Sequence, residues 1–121
     1  RRERAERDVI GTRRKQAKSR VRKELREAQK ALNTPHTFYA AMGRGLESYL
    51  IAKNGWQPSQ FSRTAAIAAL QAAAPQCAPD WERLLEQLDM ARFAAHAAPL
   101  PQALYDAAVE LVNRTEKEWN A

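Results

Sequence analysis

The chain has 121 residues, 45% of them hydrophobic, with 20 Lys or Arg against 14 Asp or Glu and a formal net charge of +6. That length fits one domain able to bury roughly two-thirds of its unfolded surface and excludes two independent ones. A single cysteine, Cys77, excludes an intrachain disulfide scaffold and fits a reducing compartment, and no apolar run reaches the roughly 20 residues that would span a bilayer. Ala is abundant, Gly is scarce and β-branched residues are few, so summed propensity favours an all-α fold. Charge is divided unevenly. Residues 1–30 hold thirteen Lys or Arg against five Asp or Glu, a net of +8, whereas residues 31–121 hold seven against nine, a net of −2. A basic arm is thus joined to a slightly acidic body, and each implies its own kind of partner.

From Arg1 to Thr12 the residues are mainly charged, broken by Val9, Ile10 and Gly11, and this stretch is expected to be a poorly ordered lead-in to a single domain over 13–121. A helix is predicted from about Arg13 to Asn33, where Ala17, Val21, Leu25, Ala28 and Leu32 share one face and Arg and Lys occupy the rest. Asn33-Thr34-Pro35 ends it and starts the next, with Thr34 as N-cap and Pro35 in the first turn. The second helix, to about Lys53, carries Phe38, Met42, Leu46, Tyr49 and Leu50 on one side and stops at Asn54-Gly55. Its aromatic-bearing stripe makes it the expected centre of the core. Gly43 and Gly45 inside it point to a closely crossing helix or, alternatively, to a functional bend.

Trp56 to Gln60 reads as a loop, and Ser62 is placed to cap a short Ala-rich helix from Arg63 to Ala73 bearing Ile67 and Leu70. After the break at 74–79 a fourth helix runs from about Asp80 to Phe93, with Trp81, Leu84, Leu85, Leu88 and Ala91 inward and Glu82, Glu86 and Asp89 outward. Residues 94–99 read as a loop. Pro101 then opens a last helix whose buried stripe is Leu104, Ala108, Leu111, Val112, Thr115 and Trp119. The expectation is a bundle of about five helices with a basic, partly disordered arm.

A search for chemistry returns little. Gly43-Arg44-Gly45 lies in a helical pattern and lacks the strand and lysine of a phosphate loop. His36 and His96 are far apart, Cys77 stands alone between two prolines, and the Glu82, Glu86, Asp89 row lacks an inward His, so neither a metal centre nor a cofactor site is expected. Cys77 as a nucleophile would need His96 brought to it by folding. Asn113-Arg114-Thr115 matches a glycosylation acceptor but falls mid-helix, where chance explains it better. No catalytic constellation stands out, and the expectation is a non-enzymatic chain.

The cations Arg13, Arg14, Lys15, Lys18, Arg20, Arg22, Lys23, Arg26 and Lys30 are therefore the candidate contact residues. They suit an anionic membrane surface beside a preceding span, an acidic protein partner, or nucleic-acid phosphates, although base-reading and interleaved aromatic residues are missing for the last. The bland alternative is a solvated helix face. A first residue that is Arg rather than Met is expected of a piece of a longer chain, and a membrane span upstream would account for the charge at one end.

Phe38-Tyr39-Ala40-Ala41-Met42, Leu46, Tyr49-Leu50, Leu84-Leu85, Leu88-Asp89 and Ala91-Arg92-Phe93-Ala94, with Ala28, Lys30, Ala31 and Leu32 upstream, resemble the cytoplasmic C-terminal domain of the BatD family of bacterial aerotolerance proteins. The resemblance spans about Ala17 to Val112. It implies a helical module on the cytoplasmic side of the bacterial inner membrane, following periplasmic β-domains and one span, acting with a MoxR-type AAA+ ATPase and von Willebrand factor A proteins in stress or oxygen tolerance. It implies no cofactor and no enzymatic activity. Structural roles are expected for Phe38, Tyr39, Met42, Leu46, Tyr49, Leu50, Leu88, Arg92 and Phe93, with Arg92 either an internal hydrogen-bond anchor for the following loop or an ordinary surface cation. The other reading kept open is a small basic helical protein that binds nucleic acid.

Overall fold

A computed structural model describes the backbone of residues 2–94 and 99–119, and the side chains of Val9 and of the described residues from Gly11 onward. Five helices make up the fold: α1 (Arg2–Gln29), α2 (Pro35–Asn54), α3 (Arg63–Ala73), α4 (Ala78–Phe93) and α5 (Pro101–Trp119), with no strand among the described residues. The all-α bundle is as the composition requires.

The first helix begins far earlier than the charge pattern suggested. Residues 2–12 are helical rather than an irregular lead-in, and Gly11 sits inside α1 with open space around it. Arg and Glu are good helix formers, and their one-turn alternation offsets a single internal glycine. The other end comes sooner, at Gln29 instead of Asn33. There the chain tightens into successive three-residue turns, Ala31 N–H to Ala28 C=O at 2.9 Å and Thr34 N–H to Ala31 C=O at 2.8 Å, because Pro35 pushes Thr34 out of the helical region. Thr34 occupies the N-cap position of α2, yet its side chain makes no capping hydrogen bond. At the far end of α2, Gly55 takes φ 66°, and its N–H together with that of Trp56 closes the helix on Ala52 and Ile51.

Pro58–Gln60 forms a single 3₁₀ turn where a plain loop was expected, closed by the Gln60 side chain accepting the Gln57 N–H at 2.7 Å. Ser62 caps α3 through the Ala65 N–H at 3.0 Å. The fourth helix starts two residues before Asp80.

α2 lies against α1, α4 and α5, while α3 packs on α4. Phe38, Met42, Leu46 and Leu50 of α2 are fully buried, Tyr39 and Tyr49 nearly so. Around them lie Val21 and Leu25 of α1, Leu70 of α3, Trp81, Leu84, Leu85 and Leu88 of α4, and Leu104, Leu111 and Val112 of α5. Phe38 and Tyr39 meet edge to face at 5.7 Å, and the Tyr39 hydroxyl donates to Pro99 C=O at 2.9 Å, tying α2 to the chain entering α5. The structural role expected for Phe93 is not seen. Phe93 is 90% exposed, because it lies at the last turn on the side away from the Trp81–Leu88 face. Arg92 is the surface cation of its two readings: it is exposed, and its guanidinium lies over Gly43. Residues 95–98, expected as loop, fall outside the described residues, as does His96.

The two interior glycines of α2 prove unequal. A methyl at Gly45 would sit 3.2 Å from Glu24 Oε2 and 3.4 Å from Glu24 Cβ, so α1 crosses there too closely for a side chain, whereas one at Gly43 would meet only Arg92 Nη2 at 3.5 Å. Gly43→Ala should therefore stabilise the fold by about 0.5–1 kcal/mol through helix propensity, and Gly45→Ala should gain nothing or lose. Urea midpoints of the two variants check this; equal stabilisation by both would contradict the close crossing.

Candidate functional site

At 100° per residue the nine candidate cations divide into two sets. Lys15, Lys18, Arg22, Lys23, Arg26 and Lys30 fall within an arc of about 140° that starts at Lys18, beside Leu25 of the buried stripe, and turns away from it, over a length of roughly 22 Å. No Asp or Glu interrupts that arc between Gly11 and Lys30. All six are exposed except Lys18, which is half-buried. Lys30, just past the helix end, pairs with Glu27 at 3.1 Å, and Arg22 donates to the neutral Asn113 Oδ1 of α5 at 2.7 Å, steadying its guanidinium without cancelling its charge.

Arg13 and Arg20 flank the buried stripe on its other side, and Arg14 lies on the line of the stripe itself, one turn before Ala17. Arg14 Nη2 donates to Asn54 C=O at 3.2 Å, and Arg13 is half-buried with its Nε enclosed and without an acceptor among the described residues. Arg20 faces Glu24, whose carboxyl burial pushes up and whose neighbour Arg20 pulls back down. Arg20 and Glu24 sit in an open groove of about 690 Å³ between α1 and α2, floored by Ala28, Ala31, Ala41 and Gly45.

A second assembly was not foreseen. Lys53 is only 6% exposed; its Nζ pairs with Glu116 Oε2 at 3.0 Å and lies 5.4 Å from the centre of the Trp119 ring. The Tyr49 hydroxyl donates to the same Glu116 oxygen. Burial, with the hydrogen bond to Glu116 and its charge, drives the Tyr49 hydroxyl far above the ordinary phenol value, so it stays protonated and donating. The Tyr49 ring stacks on Trp81 at 5.9 Å and 6°, Trp81 Nε1 donates to Thr115 Oγ1 at 2.7 Å, and Thr115 in turn donates to Leu111 C=O at 2.7 Å. Every buried polar atom in this run thus has a partner.

Sequence carried a signal for it. Lys53 follows Leu46, Tyr49 and Leu50 on the buried face of α2, and Glu116 follows Val112 on that of α5. A lone Lys in one apolar stripe and a lone Glu in another are the legible trace of a buried pair, though nothing local in either stripe names the other as partner.

The row on α4 is a set of ties rather than a ligand cluster. Asp89 pairs with Arg63 of α3 at 2.8 Å, and Asp80 holds both Arg83, at 3.2 Å, and Arg114 of α5, at 2.8 Å, while Glu82 and Glu86 face solvent. Among the described residues no three His, Cys, Asp or Glu gather closely enough to hold a metal ion. Cys77 is buried, and burial followed by its contact with Glu118 pushes the thiol up, away from thiolate reactivity. Cys77 cannot cap α4 with its side chain, so the Glu118 carboxylate does so from α5, accepting the N–H groups of Gln76 at 3.0 Å and Cys77 at 3.1 Å. Desolvation alone would raise the carboxyl of Glu118, but those N–H groups, Cys77 and Arg114 outweigh it and hold the group below its ordinary value. No helix among the described residues is long and apolar enough to cross a membrane. Compared with protein-family models, curated proteins and solved structures, the chain matches none.

Two outcomes follow for stability. Glu116→Gln leaves the Lys53 ammonium buried without a counter-charge and should cost about 3 kcal/mol in urea unfolding, with Lys53→Met/Glu116→Leu less harmful than the two single changes added together. Glu118 has a folded pKa below its unfolded value of 4.5, so its contribution is complete above that pH and is lost as pH falls through the lower folded value. The stability gap between the parent chain and Glu118→Gln should stay constant above about pH 6 and close under more acid conditions. A gap that widened on acidification would contradict the sign.

Proposed function

We propose that the chain is a non-catalytic docking module that seats the outward face of α1 on an anionic membrane surface and leaves the helical body free to meet a protein partner. The single observation that carries this is the acid-free arc of Lys15, Lys18, Arg22, Lys23 and Arg26, none of which is ion-paired among the described residues. Each such cation near an anionic leaflet contributes about 1 kcal/mol at moderate salt. The resemblance to the cytoplasmic domain of BatD supplies the setting, the inner face of the bacterial inner membrane, and the partners, a MoxR-type AAA+ ATPase and von Willebrand factor A proteins. The polar groups of the interior are taken up in holding helices together, which is what a scaffold requires and a reaction centre does not.

Sedimentation with vesicles containing anionic lipid tests this. The chain should be retained, release with rising salt, and lose about 30-fold in affinity on Lys23→Gln/Arg26→Gln, two charges at about 1 kcal/mol each. Equal or tighter retention by duplex DNA at 150 mM salt would favour a nucleic-acid-binding protein instead.

A further inference from the structure

The buried pair opens onto a cavity that the docking face does not use. Where the C-terminal ends of α2 and α5 meet the flank of α1, a pocket of about 610 Å³ is lined by Arg14, Lys15, Lys53, Asn54, Glu116 and Trp119. Its volume is that of a small-molecule site. Three cations against one carboxylate give the lining a net charge of +2.

Donor accounting points the same way. A lysine ammonium has three N–H donors; for Lys53 one goes to Glu116 and the face of Trp119 takes up another direction. Arg14 uses one guanidinium nitrogen on Asn54 C=O, leaving the rest of its fork for a second acceptor. The partial negative charge at the end of α2 is answered by Arg14 on the Asn54 carbonyl, so it does not repel an incoming anion at full strength.

We propose that this pocket binds a phosphate monoester, a compact dianion whose charge matches the lining and whose oxygens can take a bidentate grip from Arg14 and a donor from Lys53. The same group occurs free in solution or as the headgroup of phosphatidic acid. The pocket depends on its own residues, and only Lys15 is shared with the outward arc.

Trp119 reports on occupancy. Titration of the full chain with inorganic phosphate and with glycerol phosphate, at ionic strength held constant with chloride, should give a saturable fluorescence change that Trp119→Phe abolishes. Arg14→Gln, which touches only an exposed hydrogen bond, should weaken binding about tenfold, and Lys23→Gln/Arg26→Gln should leave it unchanged within about twofold. Arg14→Gln is used because removing Lys53 would strand Glu116 and unsettle the fold. Preference for vesicles with phosphatidic acid over phosphatidylglycerol at equal surface charge would assign the headgroup as ligand; soluble phosphates without that preference would assign the free anion. Absence of a saturable response to every one of these probes, or unchanged affinity in Arg14→Gln, would overturn the proposal. Lys23→Gln/Arg26→Gln still titrating with phosphate while parent vesicle binding is absent would sink the docking reading alone.

Discussion

Tyr49 is the point at which the helices are tied to one another. Its ring lies flat on Trp81 of α4, its hydroxyl donates to Glu116 of α5, and Glu116 balances Lys53 one turn further along α2. Desolvating a lysine and a glutamate is costly, and the cost is met only if the partners stand in one geometry. The pair therefore acts as a register mark. α5 cannot slide along α2 without leaving two buried charges unanswered, whereas an all-aliphatic contact would tolerate several offsets. The indole of Trp81 reaching Thr115 adds a second fixed point between α4 and α5.

The apolar arithmetic of this bundle was readable in the chain, and its polar arithmetic was not. Phe38, Met42, Leu46 and Leu50 on α2, Ala17 to Ala28 on α1 and Leu104 to Val112 on α5 recur at helical spacing, and burial follows that spacing almost residue for residue. Cap residues were only partly legible. Ser62 acts locally and could be placed from its neighbours, but the N-terminus of α4 is satisfied by Glu118, forty-one positions away, which no local pattern reveals. Phe93, given a structural role only through the resemblance, lies off the Trp81–Ala91 stripe on the wheel and faces water. The nine cations of the arm are alike in composition, yet Arg13, Arg14 and Arg20 each meet a different environment, an enclosed Nε, the Asn54 carbonyl and the Glu24 carboxylate.

This division assigns two jobs to one type of charge. On the proposed reading, exposed cations of the outer arc of α1 such as Lys23 and Arg26 meet a flat anionic surface at little conformational cost, while Arg22 is steadied by Asn113. Arg14, held on Asn54, is the cation preorganised for a ligand of defined shape.

The carboxylate of Glu118 carries a consequence for how the molecule assembles. The opening turn of α4 has no side-chain cap of its own and borrows one from the closing turn of α5, so the N–H groups leading into α4 are not fully satisfied until α5 has docked. Such a borrowed cap couples the start of α4 to the end of α5, so that fraying of the one releases the other. Amide protons of Gln76 and Cys77 thereby become sentinels for the integrity of a helix to which they do not belong.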